Sequence, residues 1–101
     1  MYISNILYLK VTLVESIEQA GNFILLLNTH FYYKYNADFL RLVQAIVSLK
    51  YIESIIYDLI NRDGKNVSIL FGGDFNSSLN SLAIEYILTG SIPFKRLKEG
   101  I

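Results

Sequence analysis

Cysteine is absent from this 101-residue sequence, and proline and histidine occur once each. Without cysteine there are no disulfides, no zinc–thiolate clusters and no thiol nucleophile, and a reducing, intracellular setting is the simpler expectation. A surplus of either charge is also lacking, since nine basic residues balance nine acidic ones. No broad positive field is therefore available to draw in a polyanion, and any nucleic-acid contact must rest on local groups or on a metal. Long apolar runs are missing too. The longest uncharged stretch, Gln19 to Tyr33, contains Asn22, Asn28, Thr29 and His30 and falls short of the roughly 18 apolar residues a membrane span needs. Met1 to Val14 carries Lys10 inside its apolar run and has no small-residue cleavage site, so neither a secretory signal nor a membrane partner is expected.

What is present is a chain built to pack, with 52% hydrophobic and 18% charged residues. Its length suits one core, so an architecture with two complete layers of sheet and helix would be cut short here. Residues 6–14 read as a first strand, 15–22 as a loop ending in Gly-Asn turn chemistry, and Phe23 to Leu27 as a second strand. Five consecutive large apolar side chains leave that second strand no polar face, which predicts cover on both sides. From Ala37 to Asn61, Phe39, Leu42, Val43, Ile46, Leu49, Ile52, Ile56, Leu59 and Ile60 recur at spacings of three and four. This predicts one long amphipathic helix with Arg41, Gln44, Ser48, Ser54, Asp58 and Asn61 on its outward stripe. Asn36 or Asp38 is the expected cap and Gly64 the expected terminator. Val67 to Phe71 is a further buried strand, and a short helix over 81–88 starts from Ser81 or Asn80 and stops at Gly90. Residues 94–101 read as a polar tail without a partner.

Two polar clusters follow directly on apolar strands, Asn28-Thr29-His30 and Gly72-Gly73-Asp74-Phe75-Asn76. In open α/β sheets ligands gather beyond the carboxyl ends of strands, so the clusters meet in one site if the strands lie side by side. The glycines let backbone approach a ligand or turn sharply, and a carboxylate with an amide two residues on places two hard oxygens near one cation. Taken singly, His30 reads as a satisfied or surface histidine and Gly-Gly-Asp as a turn. Asp74, Asn76, Ser78, Asn80 and Glu85 also fall at calcium-loop spacing, but Leu79 stands where that loop requires glycine.

Together, Asn28-Thr29-His30 and Gly73-Asp74-Phe75-Asn76-Ser77, separated by a helix bearing Arg41-Leu42-Val43-Gln44, resemble the endonuclease/exonuclease/phosphatase superfamily. Gly90-Ser91-Ile92-Pro93 after the short helix fits its CCR4-like deadenylase branch, on the side that holds the 2′,5′-phosphodiesterases. The likeness is clearest over 21–93. It implies an α/β fold, part of a DNase I-like α/β sandwich, with residues 1–101 forming roughly half of the domain. It further implies a magnesium-dependent phosphodiesterase or 3′ exoribonuclease that hydrolyses 2′,5′-oligoadenylate or poly(A) RNA to 5′-nucleotides. In that scheme Asp74 and Asn76 hold the metal, Asp74 orients or deprotonates the attacking water, and His30 and Asn76 contact the phosphate. Asn28 and Thr29 support His30, while Arg41 and Gln44 are structural.

The chain also departs from the family. The family's glutamate metal ligand from an earlier strand and its late aspartate–histidine pair have no counterpart here, and neither Glu15 nor Glu18 has the surrounding motif. Tyr33-Lys34-Tyr35-Asn36 stands where tryptophan, histidine and proline are the family's pattern. The expectation is therefore an incomplete enzyme, inactive alone, with weak magnesium binding and exposed edges prone to self-association. The alternative is a non-catalytic truncated product or interaction module that keeps half the fold.

Overall fold

The computed structural model describes residues 2–4, 9–19, 21–63 and 66–99. Alternating apolar residues in the first part of the chain build an antiparallel hairpin. Strand β2 (Leu9–Gln19) pairs with β3 (Asn22–His30) across a turn in which Gly21 takes φ 82°. The short β1 (Tyr2–Ser4) adds an outer antiparallel strand to β2. Residues 15–19 were expected in a loop, but they pair one by one with β3, from Glu15 opposite Leu26 to Gln19 opposite Asn22. The partner strand overrides the weak strand preference of Glu, Ser and Gln. A register shift between Leu13 and Glu15 leaves Val14 in a bulge, which spoils the alternation that would have signalled the strand.

Helix α1 (Asp38–Asp63) then crosses back and delivers β4 (Asn66–Asp74) parallel to β3, completing a four-stranded mixed sheet in the order β1-β2-β3-β4. The core is Leu9, Val11, Leu25, Leu27 and Phe31 from the sheet side, with Ala45 and Ile52 of α1 and Ala83 of the next helix. Only one face of the sheet is covered among the described residues. In β3, Leu25, Leu27 and Thr29 are buried while Ile24, Asn28 and His30 are exposed, and Leu70 of β4 is 63% exposed. The apolar runs thus have a second face without its layer, in place of the two-sided cover expected from composition.

Two details of α1 also differ from expectation. The Ala37 carbonyl accepts the Arg41 N–H, so Ala37 holds the capping position while Asp38 lies in the first turn, where its charge suits the positive helix end. Arg41, Gln44 and Ser48 were expected on the solvent stripe and are buried instead, with Gln44 and Ser48 at 0% exposure. For Arg41 and Gln44 the reason is that the segment after β3 folds over this stripe and takes their hydrogen bonds. The expected terminator Gly64 lies outside the described residues. Helix α2 (Leu82–Thr89) is capped by Ser81, whose side chain accepts the Ile84 N–H, and closed by Gly90 at φ 78°. The polar tail is a helix as well. In α3 (Phe94–Glu99), Arg96 donates to Glu85 Oε1 at 3.0 Å and to the Asn80 carbonyl at 2.7 Å, so the segment has a docking partner. No helix among the described residues is long and apolar enough to cross a membrane.

Candidate active site

Parallel pairing brings the ends of β3 and β4 to the same edge of the sheet. His30 and Asp74, the last residues of the two strands, are register partners, and His30 Nε2 lies 3.6 Å from Asp74 Oδ2. Their side chains are 71% and 62% exposed, so the pair faces solvent. One residue on, the Phe31 N–H donates to the Asp74 carbonyl at 2.8 Å, prolonging the ladder past both tips.

The chain beyond Asp74 folds back over this pair. Asp74 Oδ1 accepts the Asn76 N–H at 2.9 Å, and Asn76 sits in the left-handed region at φ 48°, a conformation that asparagine tolerates better than most residues. Asn76 Nδ2 donates to the Phe31 carbonyl at 2.6 Å, which leaves the amide oxygen as the free end of the group. Between them Phe75 turns inward and meets Phe31 and Phe71 edge to face, with ring centroids 5.2 and 5.4 Å apart. An inward aromatic flanked by two outward polar residues is what holds the carboxylate and the amide on one side. Gly73 is required by its neighbour strand. At φ 135°, an added Cβ would fall 1.9 Å from the Thr29 carbonyl oxygen, so the close approach is backbone to backbone.

Asn28 and His30 lie on the same open face of β3, whereas Thr29 points to the buried side and donates through Oγ1 to the Lys10 carbonyl at 2.7 Å. It braces the strand that carries His30. Arg41, 4% exposed, donates to the carbonyls of Tyr32 (3.1 Å), Lys34 and Tyr35 (3.2 Å), and Gln44 Oε1 accepts the Tyr32 N–H at 3.0 Å. These two residues shape the loop after His30. Glu18 pairs with Phe23 at the far end of the hairpin, remote from His30 and Asp74.

Among the described residues no group of three or more His, Cys, Asp and Glu is placed to hold a metal ion. The oxygens that Asp74 and Asn76 offer are of the hard type that divalent cations such as magnesium take.

The chain is 31% identical over 85 residues to human 2′,5′-phosphodiesterase 12, a match that covers 84% of this chain and 13% of that protein. It is 36% identical over 73 residues to the RNA exonuclease NGL1 of Saccharomyces cerevisiae, covering 69% and 20% respectively. It is 32% identical over 79 residues to a probable CCR4-Not complex 3′-5′-exoribonuclease subunit Ccr4 of Vairimorpha ceranae, covering 78% and 16%. The chain belongs to the endonuclease/exonuclease/phosphatase superfamily. Within that superfamily these relatives are deadenylase-like nucleases, and the chain spans between 13% and 20% of their length. No family model matches the chain, and no solved structure does. The mixed sheet with its single helical cover is a partial form of the superfamily's α/β sandwich.

Sequence reasoning about the superfamily motifs passed over two residues that share the site. Lys10 and Thr12 of β2 line a cavity of about 150 Å³ with Asn28 and His30. The signal was the alternation of Leu9, Val11 and Leu13 with Lys10 and Thr12, which puts the two polar residues on one face. On the other side of the tips, Asn76 shares a cavity of about 410 Å³ with Tyr35, Asp38 and Ser78.

Proposed function

We propose that this chain forms one side of the phosphodiester-cleaving centre of a magnesium-dependent exoribonuclease, and that it is inactive without the rest of that centre. The observation that carries the reading is the meeting of His30 and Asp74 at 3.6 Å with Asn76 folded beside them. Its expected substrates are 2′,5′-oligoadenylate or the 3′ end of poly(A), with 5′-nucleotides as products. Residues 1–101 then belong to a larger nuclease domain, with the family likeness clearest over 21–93.

The chemistry follows from what each side chain has left to offer. Hydrolysis of a phosphodiester asks chiefly for a positioned water and for neutralisation of charge growing on the phosphoryl oxygens. Asp74 Oδ1 is committed to the Asn76 N–H, so Oδ2 is the oxygen available to orient a water and receive its proton. His30 presents an exposed imidazole beside it, able to donate to a non-bridging phosphate oxygen. Asn76 is fixed by its bonds at both ends, and its amide oxygen and the Asp74 carboxylate would hold magnesium, which supplies Lewis-acid neutralisation of the phosphate when bound. The family resemblance and the hard-oxygen donor set support magnesium as the ion.

The shortage of acidic ligands among the described residues favours a second reading, in which the chain is a non-catalytic remnant or interaction module. One experiment separates the two. Residues 21–93 are grafted into human 2′,5′-phosphodiesterase 12 in place of its matching segment, and turnover of 2′,5′- and 3′,5′-linked oligoadenylate is measured with magnesium. The chimera turns over at a rate lost on Asp74→Ala, while the 101-residue chain alone shows no rate above its own Asp74→Ala control. A soluble, folded chimera with no Asp74-dependent rate would place the chain among non-catalytic remnants.

A further inference from the structure

The open face of the sheet carries an ordered row of chemistry at the strand tips. Val11 pairs with Thr29, so Lys10 stands beside His30, and His30 pairs with Asp74. The row therefore runs base, imidazole, acid from β2 through β3 to β4. The next row along the same face is Thr12, Asn28 and Gly72. Gly72 raises no side chain there, and a Cβ placed on it would meet nothing within 4 Å, so the floor beside Asn28 is open.

Lys10, Thr12, Asn28, Thr29 and His30 line the open cavity of about 150 Å³ on the side of His30 away from Asp74. Ammonium, hydroxyl, amide and imidazole can each donate a hydrogen bond, and no carboxylate lines this space. Lys10 has no ion-pair partner among the described residues, and its backbone is pinned by the bond from buried Thr29. Several converging donors, a free ammonium and room for one tetrahedral group describe an anion site. In a chain of zero net charge this is the local positive group that attraction of a polyanion requires.

We propose that this cavity is a second phosphate subsite, which holds the phosphodiester or terminal phosphate next to the one facing Asp74. Lys10 supplies the charge, Thr12 and Asn28 supply neutral donors, and His30 lies between the two phosphates. The inference rests on the nuclease reading, because the neighbouring phosphate is defined by the one at Asp74. Its consequence is a preference for ligands carrying at least two phosphates, whatever their linkage.

The test is a nitrogen-15 NMR titration of the 101-residue chain, without magnesium, with adenylyl-adenosine and with its 5′-phosphorylated form. The phosphorylated dinucleotide shifts the Lys10, Thr12 and Asn28 resonances and binds more tightly. Lys10→Gln removes that advantage, weakening it by about five- to tenfold and lowering the salt slope by about one, while Lys10→Arg keeps it. The preference is read without the ion, and the response of the Asp74 and Asn76 resonances to magnesium added afterwards is read separately, so the nuclease reading can fail by itself. Equal affinity for the two dinucleotides, an unaltered preference in Lys10→Gln, shifts centred on Asp38 and Ser78, or no binding of either ligand would each overturn the subsite.

Discussion

His30 Nε2 and Asp74 Oδ2 face each other at 3.6 Å across two parallel strands that pair in register from Asn22–Asn66 to His30–Asp74. Parallel strands need a long crossover between them, and α1 is that crossover. The meeting of the two side chains thus depends on a 26-residue crossover helix. Because both strands run the same way, each polar cluster ends at the same edge, and no further folding event is needed to bring them together.

Asp74 does two jobs that substitution can separate. Asp74→Asn keeps an oxygen to accept the Asn76 N–H and so preserves the turn, whereas Asp74→Ala removes both acceptor and charge. In the chimera each variant is expected to lose activity by about a hundredfold or more. Only Asp74→Ala is expected to lower the thermal midpoint as well, which a denaturation scan of the two proteins measures.

Gly72 and Gly73 are neighbours with opposite tolerance. Gly73→Ala adds a Cβ at positive φ against the Thr29 carbonyl and is expected to cost about 1 to 3 kcal/mol or more. Gly72→Ala meets open space and is expected to stay within about 1 kcal/mol of the parent. Urea denaturation of both variants checks the difference, and equal losses would contradict the close approach of β4 to β3.

Arg41 holds the loop after His30 through the carbonyls of Tyr32, Lys34 and Tyr35. Arg41→Ala orphans these acceptors at a cost of about 2 to 4 kcal/mol. Arg41→Lys recovers little of it, because a single ammonium cannot reproduce the planar fork. Amide exchange over residues 31–36 is expected to speed up in both variants ahead of exchange in β3.

Ile17, Ile24 and Leu70 are exposed apolar side chains on the uncovered strands. Sedimentation of the chain is expected to show concentration-dependent association, reduced by the pair Ile24→Thr and Leu70→Thr. A parent chain that stays monomeric across the same concentrations would remove the case for an unsatisfied sheet face.

Much of this arrangement was readable from residue order alone. The spacing of Leu42, Ile46, Leu49 and Ile52 marked α1, and the abrupt change from apolar runs to Asn28-Thr29-His30 and Gly73-Asp74 marked the strand tips. What escaped depends on partners distant in sequence. Glu15 to Gln19 form strand because β3 pairs with them, Arg41 and Gln44 are buried because backbone groups of residues 32–35 satisfy them, and α3 docks because Arg96 finds Glu85. Lys10 was missed for the same reason, since only the β2–β3 register reveals that it stands beside His30.

The convergence of His30, Asp74 and Asn76 on one cation is tested most directly by adding manganese, a paramagnetic stand-in for magnesium, to the nitrogen-15-labelled chain. The account predicts that the resonances of His30, Asp74 and Asn76 broaden first and that Asp74→Ala abolishes the effect. Broadening centred on Asp38, Glu53 or Asp58, or broadening that survives Asp74→Ala, would contradict it.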